Sequence, residues 1–295
     1  MINEEGPLRG RTAVVTGAAR GLGKAIAKEL ATRGVKVAVL GLEEGTLSEV
    51  ADELPTASRC WGVDITDDAA MARVAEEVSR VMGPVSIVIA NAGVAEAGPF
   101  VGSDPDSWRR VIEVNLIGSA VTARSFMPQL LETRGHYLQI ASLASIGAVP
   151  MMSAYCASKA GVEAFAHSLR GEMAPCGVGV GIAYLNWIDT DMIRDADRHA
   201  VMRKIRGSMP GPARTTRSPE HVARRVVTSV ERRTPSLYVP GWLWASQLVR
   251  AGFPSVITRV SRRKLRHAPY PATGLLGAGG RAAHPKGTPT TRPDP

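Results

Sequence analysis

The chain has 295 residues, 44% of them hydrophobic, an ordinary share for a globular protein and ample for one large α/β domain or two smaller ones. Cys60, Cys156 and Cys176 show neither metal-site nor disulfide spacing, which argues against a disulfide-stapled scaffold and for a reducing, cytoplasmic setting. The net charge of +9 is uneven: residues 1–202 carry 18 Lys/Arg against 24 Asp/Glu, and residues 203–295 carry 18 against 3.

The acidic start, Met1-Ile2-Asn3-Glu4-Glu5, has no basic stretch followed by an apolar run, so a secretory signal is not expected. Thr12–Val15 reads as a first strand. Helical spacing follows over residues 22–33, with Leu22, Ile26 and Leu30 on one face. Val35–Leu40 reads as a second strand, residues 44–54 as a helix and Cys60–Val63 as a short strand. Residues 68–82 repeat the helical period, and Val85–Ala90 is a continuous apolar strand of the kind buried on both faces. One long helix is expected over 107–131, a strand over His136–Ala141, a second long helix over 153–174 and a strand over Val178–Leu185. Ser218-Pro219-Glu220 is a helix start, with a capping Ser, a Pro at the first helical position and an acidic first turn. Ser236–Val239 reads as the last strand. Alternating strand and helix predicts right-handed crossovers and a doubly wound, Rossmann-type parallel sheet.

Thr16-Gly17-Ala18-Ala19-Arg20-Gly21-Leu22-Gly23 follows the first strand and opens a helix. In that context the glycines allow a tight turn and a close approach, and the helix N-terminus offers free N–H groups to a pyrophosphate. Tyr155-Cys156-Ala157-Ser158-Lys159 opens the second long helix, placing a phenol and an ammonium one turn apart on one face. A free Tyr is a poor base near neutral pH, and an adjacent ammonium favours the phenolate. Asn91-Ala92-Gly93, Asn115 and Ser142 lie between the two motifs.

In this order and spacing the residues closely resemble the short-chain dehydrogenase/reductase family over residues 8–240. The resemblance implies seven strands in doubly wound order, with three helices on each face. It implies a domain over 1–240 with a substrate lid near 190–217. It implies NAD(P)-dependent hydride transfer between nicotinamide and a secondary alcohol or ketone, with Tyr155 as acid/base. Lys159 lowers the pKa of Tyr155 and holds the nicotinamide ribose, Ser142 orients the substrate oxygen, and Asn115 supports a water-linked relay. Ser145 is a rival for Ser142 at unsuitable spacing. Gly17, Arg20, Gly21, Leu22 and Gly23 would hold the pyrophosphate side of the cofactor. Asp64 would meet the adenine amino group, Asn91, Ala92 and Gly93 would line the cofactor, and Ile188 and Thr190 would contact the carboxamide.

Two positions depart from the family pattern. The acidic residue expected at the end of the second strand is Gly41, with Glu43 two residues on, so cofactor choice stays between NADP(H) and NAD(H), with a slight lean to NADP(H) because of Arg20. The usual Pro-Gly after the sixth strand is Leu185-Asn186, and Asn tolerates a left-handed turn. Met192, Ile193, Met202, Ile205 and Met209 in the lid suit a fairly apolar substrate. The six histidines lack ligand spacing, so no metal is expected.

Residues 241–267 carry Trp242, Trp244, Leu248 and Val249 and end in Ser261-Arg262-Arg263-Lys264-Leu265-Arg266-His267. They could pack on the lid or a neighbouring subunit, or lie on a membrane surface. Arg250 and Pro254 argue against a span. Residues 268–295, rich in Pro, Gly, Arg and Thr, are expected to be a disordered tail. A small-molecule carbonyl or alcohol substrate and a homodimer or homotetramer are the expected partners. Nucleic acid is not, because no aromatic-interleaved basic motif accompanies the tail charge. The rival class is a non-catalytic dinucleotide sensor on the same fold, against which the intact Tyr155 and Lys159 count.

Overall fold

The computed structural model describes residues 6–209, 211–264 and 272–283. Met1–Glu5, where a secretory pattern was sought, lie outside the described residues. Seven strands form one parallel sheet in the order β3-β2-β1-β4-β5-β6-β7. They are β1 (Thr12–Thr16), β2 (Lys36–Gly41), β3 (Arg59–Gly62), β4 (Val85–Ala90), β5 (His136–Ser142), β6 (Gly179–Leu185) and β7 (Ser236–Val239). Their apolar runs are fully buried in β1 and β4, as a sheet covered on both faces requires.

The helices in chain order begin with α1 (Gly21–Thr32), α2 (Glu44–Asp52), α3 (Asp68–Met82), α4 (Pro105–Ile112), α5 (Gly118–Thr133), α6 (Leu143–Ile146) and α7 (Ser153–Met173). They continue with α8 (Asp191–Ala196), α9 (Ala200–Ser208), α10 (Gly211–Arg214), α11 (Pro219–Glu231), α12 (Leu243–Leu248), α13 (Phe253–Lys264) and α14 (Gly277–Ala282). Alternate residues of each strand face opposite cores. Val15, Val37, Val39, Ile87 and Leu138 pack with Ile26, Leu30, Leu47, Val50, Val226 and Val227, from α1, α2 and α11. Val14, Leu40, Val88, Tyr137 and Ile182 pack with Met71, Val78, Phe126, Leu130 and Ala166, from α3, α5 and α7. The expected three helices per face are therefore present.

The long helix expected over 107–131 is not a single α-helix. It starts earlier, where Asp104 caps α4 by accepting from the Asp106 and Ser107 N–H groups and Pro105 takes the first turn. A π-helical turn, Glu113–Ile117, then separates α4 from α5. The wider turn carries Asn115 inward, to 1% exposure, and apolar periodicity does not register such an insertion. The lid region, which showed no clear period, contains α8, α9 and α10.

The segment after β7 is fixed to the body by one buried carboxylate. Glu163 of α7, 4% exposed, accepts from the Tyr184 hydroxyl at 2.8 Å, Gln247 Nε2 at 3.2 Å and Arg250 at 3.2 and 3.3 Å. Truncating Arg250 removes the one cation paired with that carboxylate among the described residues. Arg250→Met is expected to cost about 1–3 kcal/mol, the scale for stranding a charged hydrogen-bonding group. The melting temperature should fall by several degrees in a thermal melt. An unchanged melting temperature would mean the clamp contributes nothing.

Candidate active site

The carboxyl ends of β1, β4, β5 and β6 converge on one cleft, the place where an open parallel sheet binds ligands. Thr16 closes β1, and its hydroxyl oxygen accepts from the Asn91 and Ala92 N–H groups at 3.0 Å each. Asn91 Nδ2 donates back to Thr16 O at 2.9 Å. Gly17 is left-handed at φ +64°, and a Cβ there would stand 2.8 Å from Ala92 Cα. A Cβ at Gly23 would collide with the carbonyl of Gly17. The loop thus admits only glycine at both places. The N-terminus of α1 has no side-chain cap, so its N–H groups face the cleft unclaimed by any side chain. These features fit a dinucleotide pyrophosphate. Gly17, Arg20, Gly21, Leu22, Gly23, Asn91, Ala92 and Gly93 all line the cleft.

Arg20 and Glu43, the two candidates for cofactor discrimination, are bonded to each other. Arg20 Nη2 donates to Glu43 Oε1 at 2.7 Å, and Nη1 donates to Oε2. The bond to Glu43 raises the Arg20 pKa against the opposing effect of burial. Gly41 lines the same end of the cleft and has room for a side chain, the nearest atom to an added Cβ lying at 3.6 Å.

Asp64 is engaged more heavily than expected for an adenine contact. It accepts from Thr66 N at 3.0 Å, Thr66 Oγ1 at 2.8 Å and Arg110. Burial pushes its pKa up, but Thr66 and Arg110 outweigh burial and hold the carboxyl below its ordinary value. Arg110 Nε also donates to Ala283 O at 2.9 Å.

Ser142 ends β5 and caps α6. Its hydroxyl oxygen accepts from Ala144 N at 3.2 Å, and it lies near enough to the Tyr155 phenol to favour the phenolate. Ser145, its rival, is 4% exposed and accepts from the Ser142 N–H. It is a cap partner, and it does not line the cleft. Tyr155 and Lys159 sit one turn apart on α7, with the ammonium 5.8 Å from the phenol ring centroid. Lys159 Nζ donates to Ile140 O of β5 at 3.2 Å. Burial raises the Tyr155 pKa, partly offset by Ser142, and lowers that of Lys159 to about 8. In the protein alone, taking both groups out of water thus dominates over the help the ammonium gives the phenolate. Asn115 is committed elsewhere: Oδ1 accepts from Val94 N at 2.8 Å, and Nδ2 donates to Val94 O and Ser158 Oγ at 2.9 Å each.

Ile188 pairs with Arg217 in an isolated bridge, and Thr190 packs over Gly21. The left-handed turn considered for Asn186 does not form, since Asn186 is not among the residues with positive φ. Its N–H donates instead to Val239 O at 3.1 Å, and its side chain donates to Ala213 O at 3.0 Å, tying β6 to β7 and to α10.

Beside Ser142 and Tyr155 lies a second, mostly apolar cavity walled by Val149, Met152, Trp187, Met192, Ile193, Met202 and Met209. Four of the five lid residues noted from sequence therefore reach it, while the side chain of Ile205 is outside the described ones. Trp187 Nε1 is buried and has no acceptor among the described residues.

Disorder does not extend over residues 272–283. Thr273 N donates to Ala97 O at 2.7 Å, Leu276 N to Ala95 O at 2.8 Å, and Gly277 N to Asp195 Oδ2 at 2.7 Å. Leu275 and Leu276 are buried, and Leu276, Gly277 and Ala283 line the cofactor cleft. Composition failed here because two leucines suffice when a preformed loop supplies backbone partners. The rest of the expected tail, 268–271 and 284–295, lies outside the described residues.

The short chain dehydrogenase family profile matches residues 11–200. The chain belongs to that family. It is 32% identical over 222 residues to a short chain dehydrogenase of Pseudocercospora fijiensis, covering 70% of this chain and 71% of that one. It is 30% identical over 208 residues to the 3-oxoacyl-acyl-carrier-protein reductase FabG of Salmonella typhimurium, covering 69% and 85%. The crystal structure of gox2181 superposes with a TM-score of 0.72 at 24% identity, covering 78% and 94%, and shares the fold. Members of this family are NAD(P)-dependent oxidoreductases acting on small molecules.

The strap of residues 272–283 has a measurable consequence. A chain stopped after Pro271 is expected to release NAD(P)H several-fold faster in stopped-flow fluorescence. An unchanged release rate would show that the strap does not restrain the cofactor.

Proposed function

We propose that this protein transfers hydride between NAD(P) and a secondary alcohol or ketone carried on a fairly apolar molecule. The observation that supports this reading most is the convergence of Ser142, Tyr155 and Lys159 where the cofactor cleft meets the apolar cavity. The nicotinamide, when bound, supplies or accepts the hydride. Tyr155 gives a proton to the carbonyl oxygen in reduction and takes one from the alcohol in oxidation. Ser142 donates to the same oxygen and positions it. The Lys159 ammonium favours the phenolate and binds the ribose, and Asn115 positions α7 through Ser158. Asp64, Ile188 and Thr190 hold the two ends of the cofactor. The Trp187 indole N–H is a donor for a second oxygen on the substrate.

Tyr155→Phe should keep cofactor affinity and melting temperature and lose roughly 10²–10⁴-fold in kcat, the contribution of general acid–base catalysis. Retention of more than about a tenth of kcat would refute the assignment. The pH dependence carries a sign. Lys159, pushed down to about 8, is charged below that pH and then favours the phenolate that alcohol oxidation requires. Lys159→Met should therefore move the rising limb of kcat/KM for oxidation to higher pH. A limb that stays in place would remove Lys159 from that role.

NADP(H) is favoured over NAD(H) by a small margin. Arg20 is the partner for a 2′-phosphate, and Glu43 competes for Arg20 and repels the phosphate. Glu43→Ala should raise the ratio of kcat/KM for NADP over NAD, and Gly41→Asp should lower it. Ratios that do not move would place the discrimination elsewhere.

A cytoplasmic homodimer or homotetramer joined through the 107–131 and 153–174 helices completes the reading. Ile117, an exposed apolar group at the π-helical turn, supports that interface. Light scattering that shows only a monomer at micromolar concentration would count against it.

A further inference from the structure

We propose that α12 and α13 form a docking face that seats this protein on an anionic lipid surface. The segment is held rigidly on its inner side. Leu243 is fully buried, Arg250 is clamped to Glu163, and Phe253 packs on Gly147. Its outer side is not covered by any of the described residues. Trp244 is 56% exposed, Leu248 73%, Val249 56% and Val256 60%, with Trp242 and Val260 also exposed. A protein normally hides such groups or scatters them singly, and here six fall within 19 residues of consecutive structure.

On α13 Val256 and Val260 are exposed one turn apart with Ile257 half-buried beside them, while Phe253 at the helix start faces the body. Arg259 lies beside these valines and Arg262 on the opposite side of the helix, both exposed. The basic run continues in sequence through Arg263, Lys264 and Arg266, and no Asp or Glu occurs between residues 232 and 293. That charge pattern decides between occupants. A second copy would bring arginines against arginines, with no carboxylate in the segment to pair them. An anionic bilayer accepts Trp and Val at the headgroup–acyl boundary and the arginines among the headgroups. Among the described residues no helix is long and apolar enough to cross a membrane, so the contact lies along the surface.

The face adjoins the apolar cavity. Arg250 Nη2 reaches Ser145 O at 3.5 Å, and Phe253 packs on Gly147. These residues lead into the loop whose Val149 and Met152 wall that cavity. Docking would bring that wall next to the lipid. The proposal rests on the outer surface alone and is independent of the hydride-transfer reading.

The test is co-sedimentation of the full chain with phosphatidylcholine vesicles, with and without phosphatidylglycerol, at low and high salt. Binding is expected only with phosphatidylglycerol and should weaken with salt. Each arginine near an anionic surface contributes roughly fivefold, so Arg259→Glu/Arg262→Glu should weaken binding by roughly 25-fold or more. Val256→Asp should weaken it too. Both variants should keep wild-type melting temperature and turnover of a water-soluble ketone. No sedimentation with phosphatidylglycerol vesicles at low salt would overturn the proposal. So would equal binding by wild type and both variants. A fall in oligomer size in Val256→Asp, seen by light scattering, without vesicle binding by the wild type would assign the face to a second copy instead.

Discussion

Thr16 and Asn91 tie the ends of β1 and β4 together, and the rest of the site depends on that knot. At this pair the strand order reverses direction, with β2 and β3 built outward on one side and β5 to β7 on the other. A crevice opens there because successive crossovers leave toward opposite faces. The Thr16 hydroxyl receives two backbone N–H groups of the β4 loop, and the Asn91 amide returns to the β1 loop. The glycine turn and the residues that face it are thereby set at one spacing. A side chain at Gly17 or Gly23 would break it by collision, whatever its chemistry.

Burial governs the chemistry of the site. Lys159 is 5% exposed and, among the described residues, has one carbonyl, Ile140 O, as its acceptor. A cation so poorly solvated loses its proton more readily, and the buried Tyr155 phenol keeps its own more firmly. The two shifts drive the pair's proton affinities apart, so that in the protein alone the ammonium gives up its proton before the phenol does. Asn115 contributes as a brace, and the π-helical turn puts it where it can hold both the β4 loop and Ser158.

The C-terminal third acts through attachment at a few polar points. Glu163 holds the segment after β7, Asp195 holds Gly277 and Arg281, and Arg110 joins Asp64 to Ala283. Each of these groups is a charge with partners drawn from distant stretches of chain. Their buried or partly buried positions strengthen them over exposed surface pairs. Helix α8, which carries Asp195, and residues 272–283 are joined by these bonds.

The sequence by itself determined what is local or periodic. Strand and helix alternation, the glycine turn after β1, the Ser218 cap and the one-turn spacing of Tyr155 and Lys159 are written in neighbouring residues, because backbone geometry repeats every two or 3.6 residues. The helix of residues 68–82 and the strand of 85–90 match their sequence reading residue for residue. Only the tertiary structure decided the rest. It paired Arg20 with Glu43, turned Ser145 into a cap partner, made Asn186 a tie between β6, β7 and α10, and drew residues 272–283 across the cleft. Each of these depends on contacts between residues far apart in the chain, and on which polar groups remain unpartnered after the sheet has formed. Neither composition nor periodicity carries that information.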